Sequence, residues 1–152
     1  MNDIDLLLQK MKNINDKLKL LNLLELAKNE YNNSNLGDAE KHCKEILLLN
    51  LQDATALRGL GCIMRQKNDF MNAEKYFLKA LECSNKKEIE YTLLGSLFYE
   101  QKQLEKAIEY YNKAIEINDN YDEAYEGRNQ AMLENHLDIV DFQENMIKRK
   151  DI

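Results

Sequence analysis

The chain has 152 residues, 44% hydrophobic and 32% charged, with no proline, no tryptophan and five glycines. That length and composition predict one helical domain and exclude the turn-rich punctuation of all-β folds. A net charge of −6 excludes the dense positive surface that nonspecific nucleic-acid binding requires.

In chain order, residues 1–19 open on Met1-Asn2-Asp3-Ile4-Asp5, which is acidic and unlike a secretory leader. Ile4, Leu7, Leu8, Met11, Ile14 and Leu18 then recur close to a heptad spacing, with Asn2 or Asp3 available as an N-cap. The segment is an amphipathic helix with two roles open to it, a cap on the domain or a dimerisation helix. Residues 20–53 place Leu23, Leu26, Ala27 and Tyr31 on a first helix, a turn at Asn32-Asn33-Ser34-Asn35, and Leu36, Ala39, Cys43, Ile46 and Leu47 on a second. Residues 54–87 repeat the plan with Asp53 as N-cap. Leu57, Leu60, Gly61 and Met64 precede the turn Lys67-Asn68-Asp69, and Phe70, Ala73, Phe77, Ala80 and Leu81 follow it. Residues 88–121 are the clearest unit, with Tyr91, Leu94, Gly95 and Phe98, then Leu104, Ala107, Tyr111 and Ala114, ending at the breaker Asn118-Asp119-Asn120. Residues 122–152 begin in phase at Tyr125, but Arg128 and Asn129 stand where Leu and Gly should be. Ile139, Val140, Phe142, Met146 and Ile147 continue an amphipathic pattern in which Asp141 replaces the expected Ala, and Lys148-Arg149-Lys150 suits a helix C-terminus. This last segment reads as a degenerate fourth repeat or C-terminal cap.

The units share a period of 34 residues: Gly95, Gly61 and Ala27 coincide, as do Ala107, Ala73 and Ala39, and Tyr111, Phe77 and Cys43. Self-similarity at this period marks a solenoid of repeated helix pairs. A pair cannot bury its apolar face alone, so small residues are expected where helices touch and aromatic ones in the holes beside them. Over residues 20–135 the motif resembles the tetratricopeptide repeat (TPR). It departs in lacking the Trp, in Leu51, Asn85 and Asp119 replacing the Pro near the repeat end, and in Ser34, Asn68 and Lys102 replacing the inter-helix Gly. The resemblance implies an all-α, right-handed α-solenoid of three TPR helix pairs with N- and C-terminal capping helices.

It also implies a non-enzymatic protein–protein interaction module holding a peptide or helix in its concave groove. On a helical wheel, Thr92, Ser96 and Tyr99 lie about 100° from the core stripe, on the flank that lines the groove in proteins resembling this one. The matching flanks are Leu24, Lys28 and Tyr31, then Arg58, Cys62 and Arg65, and finally Glu126, Gln130 and Leu133. The expected peptide-binding residues are therefore Lys28, Tyr31, Arg58, Cys62, Arg65, Ser96 and Tyr99. Arg58 and Arg65 are two of only four arginines, and guanidinium groups fork onto carboxylates or phosphates. The clamp by which one subclass grips heat-shock chaperone tails is not present, since its positions hold Leu24, Lys28, Gly59, Ile89 and Leu93. Two alternatives remain beside the groove reading. One is a small dimeric chaperone of the type III secretion class, and the other is a regulatory subunit of an enzyme complex.

No catalytic, cofactor or metal constellation is expected. His42 and His136 are far apart and read as exposed surface residues. Gly59-Leu60-Gly61 lacks the third glycine and the preceding strand of a dinucleotide loop. Cys43, Cys62 and Cys83 fit neither a disulfide framework nor a zinc site. Cys43 and Cys83 fall at packing positions and Cys62 on the groove flank. The expected setting is cytoplasmic, without a membrane span, and the expected partner is another protein or peptide, with a homodimer through the N-terminal helix as a further expectation.

Overall fold

The computed structural model describes residues 2–150, with side chains for residues 2–136. Among the described residues there are seven helices and no strand: α1 (Asp3–Asn32), α2 (Leu36–Leu49), α3 (Ala54–Gln66), α4 (Phe70–Cys83), α5 (Lys87–Glu100), α6 (Leu104–Ile117) and α7 (Asp122–Lys150). They fall into two compact units, Met1–Cys83 with α1–α4 and Ser84–Ile152 with α5–α7. The apolar pattern expected from Ile139, Val140, Phe142, Met146 and Ile147, with Asp141 and the basic Lys148-Arg149-Lys150, lies outside the described side chains.

In the first unit α1 runs unbroken through residue 19, so the N-terminal segment and the first helix of the first repeat are one 30-residue helix. Its start is fixed by a capping box: the Asp5 amide donates to Asn2 Oδ1 at 2.8 Å, and the Asn2 amide to Asp5 Oδ2 at 3.2 Å. Asp53 caps α3 by accepting from the Ala56 amide at 2.8 Å. The core then forms in two clusters. Ala27, Ala39, Cys43, Leu60 and Ile63 bury together, with Tyr31, Leu36, Leu47, Met64 and Tyr76 packed around them. Leu23, Ile46 and Ala56 form the other cluster, with Leu20, Leu24 and Leu47 against it. Gly61 is where α3 meets the Phe77 ring of α4; a Cβ there would stand 2.4 Å from the ring, so the position admits no side chain.

Position 26 departs from expectation. Leu60, its equivalent one repeat on, is 1% exposed, whereas Leu26 is 45% exposed. Leu60 packs with Ala27, Ala39 and Cys43 of the preceding helix pair, whereas among the described residues no helix pair precedes α1 to receive Leu26. The same lack of a neighbour leaves Ile4, Leu7, Met11, Ile14, Leu18 and Leu21 exposed along α1. His42 also differs, being half-buried with its Nδ1 enclosed and unpartnered, because α2 is covered on that side; His136 is exposed.

In the second unit Leu94, Leu97, Phe98, Leu104, Ala107, Tyr111 and Ala114 are buried, joined by Ala124 and Ala131 of α7. Phe98 stacks on Tyr110 with ring centroids 5.3 Å apart. Burying each such ring contributes about 1.5–3 kcal/mol. Tyr111 is held between two glycines of neighbouring helices: a Cβ at Gly95 would come within 2.8 Å of its ring, and one at Gly127 within 2.4 Å.

Each helix pair turns through the same device. Ser34, Asn68 and Lys102 have φ of 64°, 61° and 60°. The next residue's amide reaches back to close the helix end, from Asn35 to the Glu30 carbonyl at 2.8 Å, Asp69 to Met64 at 2.9 Å and Gln103 to Phe98 at 2.9 Å. Non-glycine residues in this left-handed conformation cost about 1–2 kcal/mol each, least for asparagine.

Candidate peptide-binding pocket

On α1, Leu24, Ala27, Lys28 and Tyr31 follow the three-and-four spacing that puts them on one face, and on α3 Thr55, Arg58, Gly59, Cys62 and Ile63 do the same. Together with Glu25 and the Cys43 side chain of α2, they enclose a cavity of about 480 Å3 in the first unit. Its interior is apolar, formed by Leu24, Ala27, Cys43 and Ile63. The cationic side chains of Lys28 and Arg58, with the carboxylate of Glu25, make its charged edge.

The cavity has a cause in the repeat pattern. Cys43 occupies the position filled by Phe77 in the second repeat and Tyr111 in the third. A thiol there fills far less space than a ring, and the helices on either side do not close over the deficit. Gly59 widens it further, standing only 2.9 Å (as a Cβ position) from Cys43 Sγ. Burial pushes the Cys43 thiol up to about 11, reinforced by the neighbouring Cys62, Asp53 and Glu40. It stays protonated and unreactive at neutral pH.

Of the seven residues expected from the sequence, Lys28, Tyr31, Arg58 and Cys62 line this one cavity. Arg65 is half-buried in the last turn of α3 and is not part of its wall. Ser96 and Tyr99 belong to the second unit and are engaged there. Ser96 Oγ donates to the Thr92 carbonyl at 3.1 Å and lies 3.1 Å from the Tyr111 hydroxyl. The Tyr99 hydroxyl donates to Glu134, which raises the phenol's pKa, while the ion pair with Lys102 holds the Glu134 carboxyl below its ordinary value. Thr92, expected on the same flank, is buried, its hydroxyl donating to the Glu88 carbonyl at 2.8 Å. Gly59, Ile63 and Cys43 were not expected as site residues. The signal for Cys43 was its small size in an otherwise aromatic column.

Two profiles of the tetratricopeptide repeat match the sequence, over residues 24–88 and 89–121. The chain belongs to the tetratricopeptide repeat family. Among curated proteins no match was found. Solved structures place this TPR chain among known folds. The Thermobaculum terrenum O-GlcNAc transferase is similar with a TM-score of 0.70 and 20% identity over 77% of this chain; the match spans only 22% of that enzyme. The Yersinia enterocolitica type III secretion chaperone SycD, in complex with a peptide of the translocator YopD, gives a TM-score of 0.67 and 18% identity, covering 76% of this chain and 94% of that one. The TPR2B domain of yeast Sti1, in complex with pHsp70, gives 0.68 and 18%, covering 77% and 98%. At these identities the likeness is one of fold.

Among the described residues no group of three or more His, Cys, Asp or Glu side chains could hold a metal ion. No helix among them is long and apolar enough to cross a membrane.

Proposed function

We propose that this TPR protein is a non-enzymatic, cytoplasmic interaction module that takes a peptide or helix of another protein on the face carrying the first unit's cavity. The observation behind this reading is that an apolar hollow with two cations and one carboxylate at its edge is built from side chains of three helices. An apolar floor supplies affinity and a few placed polar groups supply orientation. Arg58 and Lys28 favour acidic segments, and Tyr31 offers stiff amphipathic contact area. Arg65 of the first unit and, separately, Ser96 and Tyr99 of the second are further proposed peptide contacts. That SycD and the Sti1 domain, which share the fold, are seen with a peptide and with pHsp70 is consistent with this use of it. The test is capture of partners from the source cell by wild type and by an Arg58→Glu/Arg65→Glu variant. Loss of bound proteins is expected, and an unchanged set would rule the basic flank out as the site.

A second reading has its own observation. Ile4, Leu7, Met11, Ile14, Leu18 and Leu21 alternate spacings of three and four along α1 and are each more than half exposed. Such a seam suits a second copy of the chain, as in a dimeric chaperone that holds an unfolded client. Sedimentation of wild type against a chain of residues 20–152 separates the readings: a dimer lost on truncation supports the chaperone, and a monomer in both removes it.

A further inference from the structure

We infer that the first unit's cavity is a socket for an aromatic side chain, supplied by an acidic segment of the partner protein. The inference rests on the groove reading above and deepens it. The molecule contains its own template for the occupant. Two repeat lengths beyond the cavity, Ala27, Cys43 and Gly59 correspond to Gly95, Tyr111 and Gly127. There the Tyr111 ring fills the equivalent space so closely that Cβ atoms on either glycine would collide with it. Its hydroxyl meets Ser96, which corresponds to Lys28 at the cavity's edge. The ring that closes the second unit therefore reaches the level at which the first unit is open. A phenylalanine or tyrosine entering from the groove side meets the same helix faces, with Cys43 as the floor in place of a ring. Charge selects the segment carrying it. Lys28 and Arg58 outnumber Glu25 at the edge, so carboxylates flanking the aromatic residue are favoured over ammonium groups.

The probes are hydrocinnamate, a phenyl ring with a carboxylate, and its neutral amide, titrated into the full chain and followed by amide chemical shifts. Both should shift Ala27, Gly59, Cys62 and Ile63, with hydrocinnamate about threefold tighter, and Lys28→Gln should remove most of that preference. Absence of shifts at these amides for both compounds overturns the inference.

The decisive variant is Cys43→Phe with Ala27→Gly, which rebuilds the closed arrangement of the second unit. The alanine must go because the equivalent glycines admit no Cβ beside a ring. This chain should fold with an equal or higher denaturation midpoint, lose binding of both probes at least tenfold, and lose the partner. Gly59→Leu blocks the cavity from the α3 side and serves if the double variant does not fold. If plugged chains retain the partner while Arg58→Glu/Arg65→Glu releases it, the aromatic anchor is wrong and the groove reading stands. If neither set affects capture, both fail.

Discussion

The assemblies α1–α2–α3 and α5–α6–α7 are built from corresponding positions and differ at their centres. In the second, Tyr111 is clasped by Gly95 and Gly127 and its hydroxyl is engaged with Ser96, so the space between the helices is filled. In the first, Cys43 leaves a cavity of about 480 Å3 bounded by Ala27 and Gly59. Edge charge reverses as well. Arg58 corresponds to Glu126 and Cys62 to Gln130. The difference teaches that the residue in a repeat's aromatic column decides whether an interhelical space is filled or left open, with the helix scaffold left alone.

Tyr111→Cys should give the largest effect, since it copies the open centre into the unit that is packed around a ring. Removing a buried aromatic side chain costs about 3–5 kcal/mol, read as a drop in the urea midpoint. A cost below about 1 kcal/mol would mean the ring is not structural. Gly95→Leu should follow, destabilising by about 1–3 kcal/mol or more through collision with Tyr111, and an unchanged midpoint would refute the register. Gly59→Ala is its counterpart at the open centre. There about 1 kcal/mol of regained helix propensity offsets the contact with the Cys43 sulfur, leaving the net change near zero.

The buried thiol gives a smaller, pH-dependent difference. Its folded pKa of about 11 lies above the ordinary 9.0, so the folded chain holds the proton more tightly than the unfolded one. That contribution is complete below pH 9.0 and is lost as pH rises towards about 11. Stability of wild type should therefore fall over this window relative to Cys43→Val, and parallel profiles would show the thiol to be solvated. The smallest effect is expected at the turns. Ser34→Gly relieves a left-handed residue and should stabilise by about 0.5–1 kcal/mol. At Lys102 the same change also forfeits the ion pair with Glu134 and the contact with the Tyr99 ring, so the gain should be smaller.

The helix pairs were legible because close packing dictates residue size at fixed intervals. Gly61 against Phe77 and Gly95 against Tyr111 are the contacts that the period of 34 residues implies. The turns were legible too, since Ser34, Asn68 and Lys102 were identified as substitutes for glycine and all adopt its conformation. End effects were not. Leu26 matches Leu60 in type and register, yet among the described residues only Leu60 has a preceding helix pair to pack against. Thr92 was misjudged because a wheel assigns angle but not how far a neighbouring element extends over a flank. The cavity was half legible. Cys43 was visible as the odd member of an aromatic column, but a missing ring predicts a hollow only if the surrounding helices fail to collapse into it.

Codons set a further consequence of the cysteine at the cavity floor. Every cysteine codon lies one base from tyrosine and one from phenylalanine, and every alanine codon lies one base from glycine. An open first unit and a filled one are thus two point changes apart, at Cys43 and Ala27. Descent with repeat duplication can open or shut such a cavity without disturbing a single helix boundary.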